Sequence, residues 1–130
     1  MKLWIDDMRD APDNSWTVVR KVQPAIHLLA QYHATEISID HDIENRPDDE
    51  TFKPVAYFIG EKYAVLNKLN AKLGIAPDPV EERGYPNLRV HSDNPVGAKE
   101  LVAIFADYGM PAVWEPYTTQ ADFARKFGLE

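Results

Sequence analysis

Residues 36–42 read Glu36-Ile37-Ser38-Ile39-Asp40-His41-Asp42. A short β-rich run stops on two carboxylates and an imidazole. Glu36–Ile39 has the length and composition of a buried strand, and the Asp-His-Asp that follows opens a polar loop at its end. The same event occurs twice more. Leu3-Trp4-Ile5 stops at Asp6-Asp7, and Leu88–Val90 stops at His91-Ser92. Two further stretches, Trp16–Val19 and Ala112–Trp114, read as strands without such an ending.

Helical signals fill the gaps. Pro24 suits the first turn of a helix, and Val22, Ile26, Leu29, Ala30 and His33 share one face at helical spacing. Pro54 opens a longer helix reaching about Leu73, with Val55, Phe58, Ile59, Leu66, Leu69 and Leu73 on its buried side. Asn94-Pro95 is a cap followed by a first-position proline. Ala98, Leu101, Val102, Phe105 and Tyr108 form the stripe of that helix, and Gly109 ends it. Thr119 caps a last helix to about Phe127. The stretch from Glu44 to Thr51 is polar and exposed, and Gly74–Pro86, with four of its residues proline or glycine beyond Gly74, reads as a loop. Strands that alternate with helices imply a parallel sheet covered on both faces. The exception is Asp6–Ser15, too short and polar for a crossover helix, where an irregular loop or single turn is expected.

Composition bounds the rest. The 130 residues suit one domain, 1–130, and 45% of them are hydrophobic, which is ordinary for a globular chain. Cysteine is absent, which excludes disulfides, a thiolate nucleophile and sulfur-ligated zinc. The opening MKLWIDDMRD meets charge by its sixth residue and does not read as a signal peptide. No apolar stretch approaches the ~18 residues of a membrane helix, so the expected compartment is the cytoplasm. A net charge of −7 argues against a broad nucleic-acid surface. It leaves room for a small phosphorylated ligand, because a metal ion can reverse the local field.

In open parallel sheets, ligands bind beyond the carboxyl ends of the strands. The three polar strand ends therefore form one candidate site. Asp6, Asp7, Asp40 and Asp42 would repel one another there unless a cation intervened, and a divalent metal with oxygen ligands is the economical answer. Solvated strand-end acids are the plainer alternative. His41 and His91 suit phosphoester cleavage, one activating water and the other protonating the leaving oxygen. Each could instead satisfy a backbone group or ligate metal passively. His27 and His33 sit on an ordinary helix and receive no role. The segment His91–Gly97 places Ser92, Asn94, Val96 and Gly97 at a helix start, where free N–H groups and the dipole favour an anion, although simple capping explains the same residues. Arg9 could clamp a phosphate or neutralise the acids. Gly-rich phosphate loops and a Gly-x-Ser-x-Gly elbow are absent.

Jointly these segments match a known pattern. Leu3-Trp4-Ile5-Asp6-Asp7-Met8-Arg9 with Pro12, then Ile37–Asp42, then His91-Ser92-Asp93-Asn94-Pro95-Val96-Gly97 resembles the cyclic-phosphate-processing receiver-like domain family of bacteria and their phages. The resemblance runs from Lys2 to about Tyr108. It implies a three-layer flavodoxin- or receiver-like α/β domain with five parallel strands in the order 2-1-3-4-5. It also implies an acid pair, Asp6 and Asp7, that holds a metal. Asp40 then stands where receivers keep the phospho-accepting aspartate, and Ser92 near the usual hydroxyl position. Three departures stand out, one being the first crossover helix, shortened or missing between Asp6 and Ser15. The last strand ends Trp114-Glu115-Pro116 where a signalling receiver carries Lys-Pro, and Ile43-Glu44 replaces the Leu-Gly common after Asp-His-Asp.

The resulting expectation is a metal-dependent phosphoesterase, with magnesium or manganese, acting on a cyclic phosphate: an RNA 2′,3′-cyclic phosphate end or a small cyclic nucleotide. Asp40, His41 and His91 would be catalytic, Asp6, Asp7, Asp40 and Asp42 would hold the metal, and Arg9, Ser92, Asn94, Val96 and Gly97 would bind phosphate. The competing expectation is a non-catalytic receiver-like module that binds a protein or nucleotide.

Overall fold

The computed structural model describes residues 1–43, 51–74 and 85–116. The expected exposed stretch from Glu44, the body of the Gly74–Pro86 loop and the helix from Thr119 to Phe127 lie outside the described residues. In chain order the elements are β1 (Lys2–Ile5), β2 (Trp16–Val19), α1 (Val22–Gln31), β3 (Glu36–Ile39), α2 (Lys53–Leu73), β4 (Asn87–Val90), α3 (Pro95–Asp107) and β5 (Ala112–Trp114). All strand pairs are parallel, and the sheet order is β2-β1-β3-β4-β5. The chain is thus the five-stranded α/β sheet that the sequence led us to expect.

After β2 every crossover moves the chain the same way across the sheet. Right-handed connections therefore put α1, α2 and α3 on one face, and α1 packs on α2 and α2 on α3. That face carries Leu3, Ile5, Ile37, Ile39, Leu88 and Val90, all buried against Leu29, Val55, Ile59, Leu101 and Phe105. β1 to β2 runs the other way, and residues 6–15 cross without a helix, as the sequence implied. Among the described residues no helix is long and apolar enough to cross a membrane.

Two expected helix faces need correction. In α1 the buried residues are Ala25 and Leu29, while Ala30 and His33 are exposed. The helix stops at Gln31, and Tyr32 is extended (φ −124°, ψ 154°), so helical phase cannot carry His33 onto the face. In α2 the buried side is Val55, Ala56, Ile59, Gly60 and Tyr63, whereas Leu69 and Leu73 are 48% and 60% exposed. A helix of 21 residues is about 31 Å long, and strands of four residues span only ~13 Å, so the last turns outrun the sheet.

The helix start after Asn94 forms as the sequence implies. The Asn94 carboxamide oxygen accepts from Gly97 N (3.2 Å), Pro95 takes the first position, and Gly109 closes the far end at φ +78°.

Candidate metal and phosphate site

The strands deliver the site through their register. Ile5, Ile39 and Val90 are aligned across β1, β3 and β4, so the next residues, Asp6, Asp40 and His91, emerge side by side. The ladder runs one residue past the strands. Asp40 N donates to Ile5 O (2.9 Å) and His91 N to Ile39 O (3.1 Å). These three side chains start from rigid sheet, which sets them more firmly than a loop would.

Asp6, Asp7 and Asp40 each bring a carboxylate oxygen to within 4.8 Å of the other two. Asp6 and Asp40 are buried, at 1% and 6% exposure. Their environments differ. Burial pushes Asp6 up, but the hydrogen bond from His91 and the N–H groups of Arg9 and Met8 outweigh it, and the carboxyl sits below its ordinary value. Asp40 is pushed up to about 6, first by burial and then by the Asp6 charge. The His41 N–H, the Ser92 hydroxyl and the nearby Arg9 hold it only partly in check. Two buried carboxylates with a third beside them are an all-oxygen donor set that a hard divalent cation fits, and its charge would relieve the repulsion now felt by Asp40.

Asp42 is not drawn into this group. It turns to the His41 ring, with Nδ1 at 2.6 Å, and both its carboxylate oxygens accept from Asn94 Nδ2 at 3.3 Å. His41 is buried. Its other nitrogen meets Glu100 Oε2 at 3.1 Å, and Lys53 Nζ meets the same oxygen at 2.7 Å. The imidazole thereby ties the acid loop to α3 and to the start of α2. Phe52 N reinforces the tie by donating to His41 O (2.8 Å).

His91 has no exposed surface. Nε2 lies 2.9 Å from Asp6 Oδ2 and Nδ1 2.8 Å from Ser38 Oγ, and the ring stacks on Trp4 with centroids 3.8 Å apart and planes 8° apart. The expected post beside a leaving oxygen does not suit a ring so enclosed. A sheet position facing Trp4 and Ser38 leaves it no path to solvent.

The phosphate-binding expectation is also reshaped. Ser92 is buried, bonds Asp40 and accepts from Asn94 N (3.1 Å). Gly97 N is engaged by the Asn94 cap, and Pro95 has no N–H. Val96 is 68% exposed. Arg9 stands at the rim, its guanidinium 3.0 Å from Asp93.

Four contributors escaped the sequence reading. Arg20 donates to the carbonyls of Asp6 (3.3 Å) and Arg9 (2.9 Å) and pairs with Asp10, pinning the loop that carries Asp7. Glu100 and Lys53 carry no motif. Ser38 did leave a signal, a lone hydroxyl between Ile37 and Ile39 in an otherwise apolar strand.

The sequence model of the cyclic-phosphate processing Receiver domain matches residues 1–107. The chain belongs to that family. The match runs from β1 to the last residue of α3 and so takes in the carboxylate group, His41, His91 and the Asn94 helix start. A cyclic-phosphate processing Receiver domain is the fold on which this site is built. No curated protein and no solved structure matches the chain.

Proposed function

We propose that the protein is a metal-dependent phosphoesterase that opens a cyclic phosphate, either the 2′,3′-cyclic phosphate of an RNA end or a small cyclic nucleotide. The observation that carries this reading is the convergence of Asp6, Asp7 and Asp40 within 4.8 Å at the carboxyl edge of the sheet. The family's association with cyclic phosphates supplies the substrate class.

Asp6, Asp7 and Asp40 would hold the cation, magnesium or manganese by the hardness of the donors. When bound, such an ion supplies Lewis acidity toward a phosphoryl oxygen and acidifies water. The chain's own groups do the rest. Arg9 at the rim and the Val96 N–H at the start of α3 would take the anionic oxygens. Ser92 fixes the Asp40 carboxylate. Without the cation the Asp40 carboxyl is pushed up to about 6, and a bound cation would hold it ionised, so Asp40 serves here as a ligand. In the reaction a water oxygen bonds to phosphorus, one ring P–O bond breaks, and the freed alkoxide takes up the proton that the water gave. The product is a linear phosphomonoester. His41 is a brace of the acid loop in this scheme.

The test is incubation with magnesium or manganese and three substrates: a nucleoside 2′,3′-cyclic phosphate, a 3′,5′-cyclic nucleotide and a linear diester. Phosphorus NMR reads the products. Ring opening that falls by ~10²-fold or more in Asp40→Asn supports the reading. A protein that binds the cation and a cyclic phosphate without opening it is a binding module.

A further inference from the structure

We infer that His91 is a positioning residue: it aims Asp6 at the cation through a buried hydrogen bond. The inference rests on the metal reading above and adds to it the part that sets metal affinity.

The argument begins with what Asp6 has left to offer. A carboxylate presents about four acceptor positions. Met8 N and Arg9 N take two on Oδ1, both at 2.9 Å, and His91 Nε2 takes one on Oδ2 at 2.9 Å. The carboxylate is thus held from both ends and cannot rotate about its last bond. Its remaining capacity lies on Oδ2, so the direction in which Asp6 meets a cation is set by where His91 stands.

His91 is itself fixed on every side. Trp4 stacks against the ring and holds its plane, and Trp4 is anchored by its indole N–H on Arg9 O (3.0 Å). Ser38 Oγ faces Nδ1. A carboxylate can only accept, so Nε2 must be the donor toward Asp6, and the serine hydroxyl can then donate to Nδ1. Asp6 thus fixes the tautomer, and Ser38 completes it by donating to Nδ1. Each member of the chain Ser38–His91–Asp6 has exposure of 1% or less, so water does not compete for these bonds. A buried histidine placed behind a carboxylate ligand is the arrangement that orients the ligand and tunes its basicity, and loss of such partners costs roughly 10–100-fold in metal affinity.

The experiment compares manganese binding, read by electron paramagnetic resonance of the free ion, in the wild-type protein, His91→Leu, His91→Gln and Ser38→Ala. Melting in chelator shows which variants are folded. We expect His91→Leu to bind ~10–100-fold more weakly. His91→Gln, whose amide nitrogen reaches the position of Nε2, should restore most of that loss, while a purely structural role would leave it as impaired as the leucine variant. Ser38→Ala should lie between the wild type and His91→Leu, and it answers the question if the leucine variant does not fold. Wild-type affinity in His91→Leu, or in Ser38→Ala should the leucine variant not fold, overturns the inference while the metal reading stands, as does a folded His91→Gln no better than leucine. Absence of manganese binding by the wild-type protein overturns both. Binding that depends on His91 without turnover of any cyclic phosphate upholds the inference and removes the phosphoesterase reading alone.

Discussion

Gly97 lies directly against the His41 imidazole: a Cβ built on Gly97 would fall 2.4 Å from both Cγ and Nδ1 of that ring. The contact brings the first turn of α3 onto the acid loop and leaves no space for any side chain. Gly97→Ala should therefore displace the ring from Asp42 and Glu100 and destabilise the fold by about 1–3 kcal/mol, the usual cost of overpacking. Denaturant unfolding measures it. Unchanged stability would mean that α3 can slide away from His41 at no cost.

Cation binding should stabilise the protein and should separate the aspartates. At a hundredfold excess over Kd a bound ligand adds ~2.7 kcal/mol, a melting shift of several degrees. Asp6→Asn, Asp7→Asn and Asp40→Asn should each shrink the shift produced by millimolar magnesium or manganese. Asp42→Asn should retain it, because Asp42 faces His41 and Asn94 instead of the other three. Equal losses in all four would return Asp42 to the ligand set.

The raised acidity constant of Asp40 fixes the sign of a pH effect. Its folded value of about 6 exceeds the ordinary 3.8, so the folded protein holds this proton more tightly than the unfolded chain. Stability is accordingly lost as pH rises from about 4 to about 6, by roughly 3 kcal/mol at ~1.4 kcal/mol per unit. Other groups titrate in the same window; the falling pKa of His91, driven by burial, acts in the opposite sense. The difference between Asp40→Asn and wild type isolates Asp40. In chelator, the variant should gain on the wild type by about that amount between pH 4 and pH 7, and saturating cation should cancel the gain.

Asn94 does two jobs that a pair of substitutions can divide. Its oxygen caps α3, and its amide nitrogen donates to Asp42. Asn94→Ala should cost about 1 kcal/mol, as cap removal usually does. Asn94→Asp keeps a capping oxygen but sets a carboxylate against Asp42, so it should recover only part of the loss, and more of it in high salt. Full recovery at low salt would show that the Asp42 contact adds nothing.

Several of these features were legible beforehand. The cap at Asn94 and the stop at Gly109 depend on neighbours within a few residues, and so do the strand ends at Asp6, Asp40 and His91. Such local preferences survive translation from sequence to fold intact. The absence of a helix between β1 and β2 was equally plain, since ten residues, seven of them polar, are too few and too polar for a crossover helix. The buried faces of α1 and α2 were read less well. Periodicity gives a helix's phase, yet the distance over which the sheet continues beneath it is a tertiary quantity, and Leu69 and Leu73 lie beyond the sheet's edge.

The site divides along the same line. The sequence by itself determined which residues gather at the carboxyl edge, because strand length and the switch from apolar to acidic fix where each chain leaves the sheet. Only the tertiary structure decided what each of them faces. Register across β1, β3 and β4 set His91 beside Asp6, above Ser38 and against Trp4, residues 53 to 87 positions away along the chain. Packing of α3 against the acid loop gave His41 to Glu100, 59 positions away. A side chain's chemical role follows from its partners, and partners so distant in sequence are chosen by the fold, where burial makes an unsatisfied polar group costly and leaves one arrangement that satisfies them all.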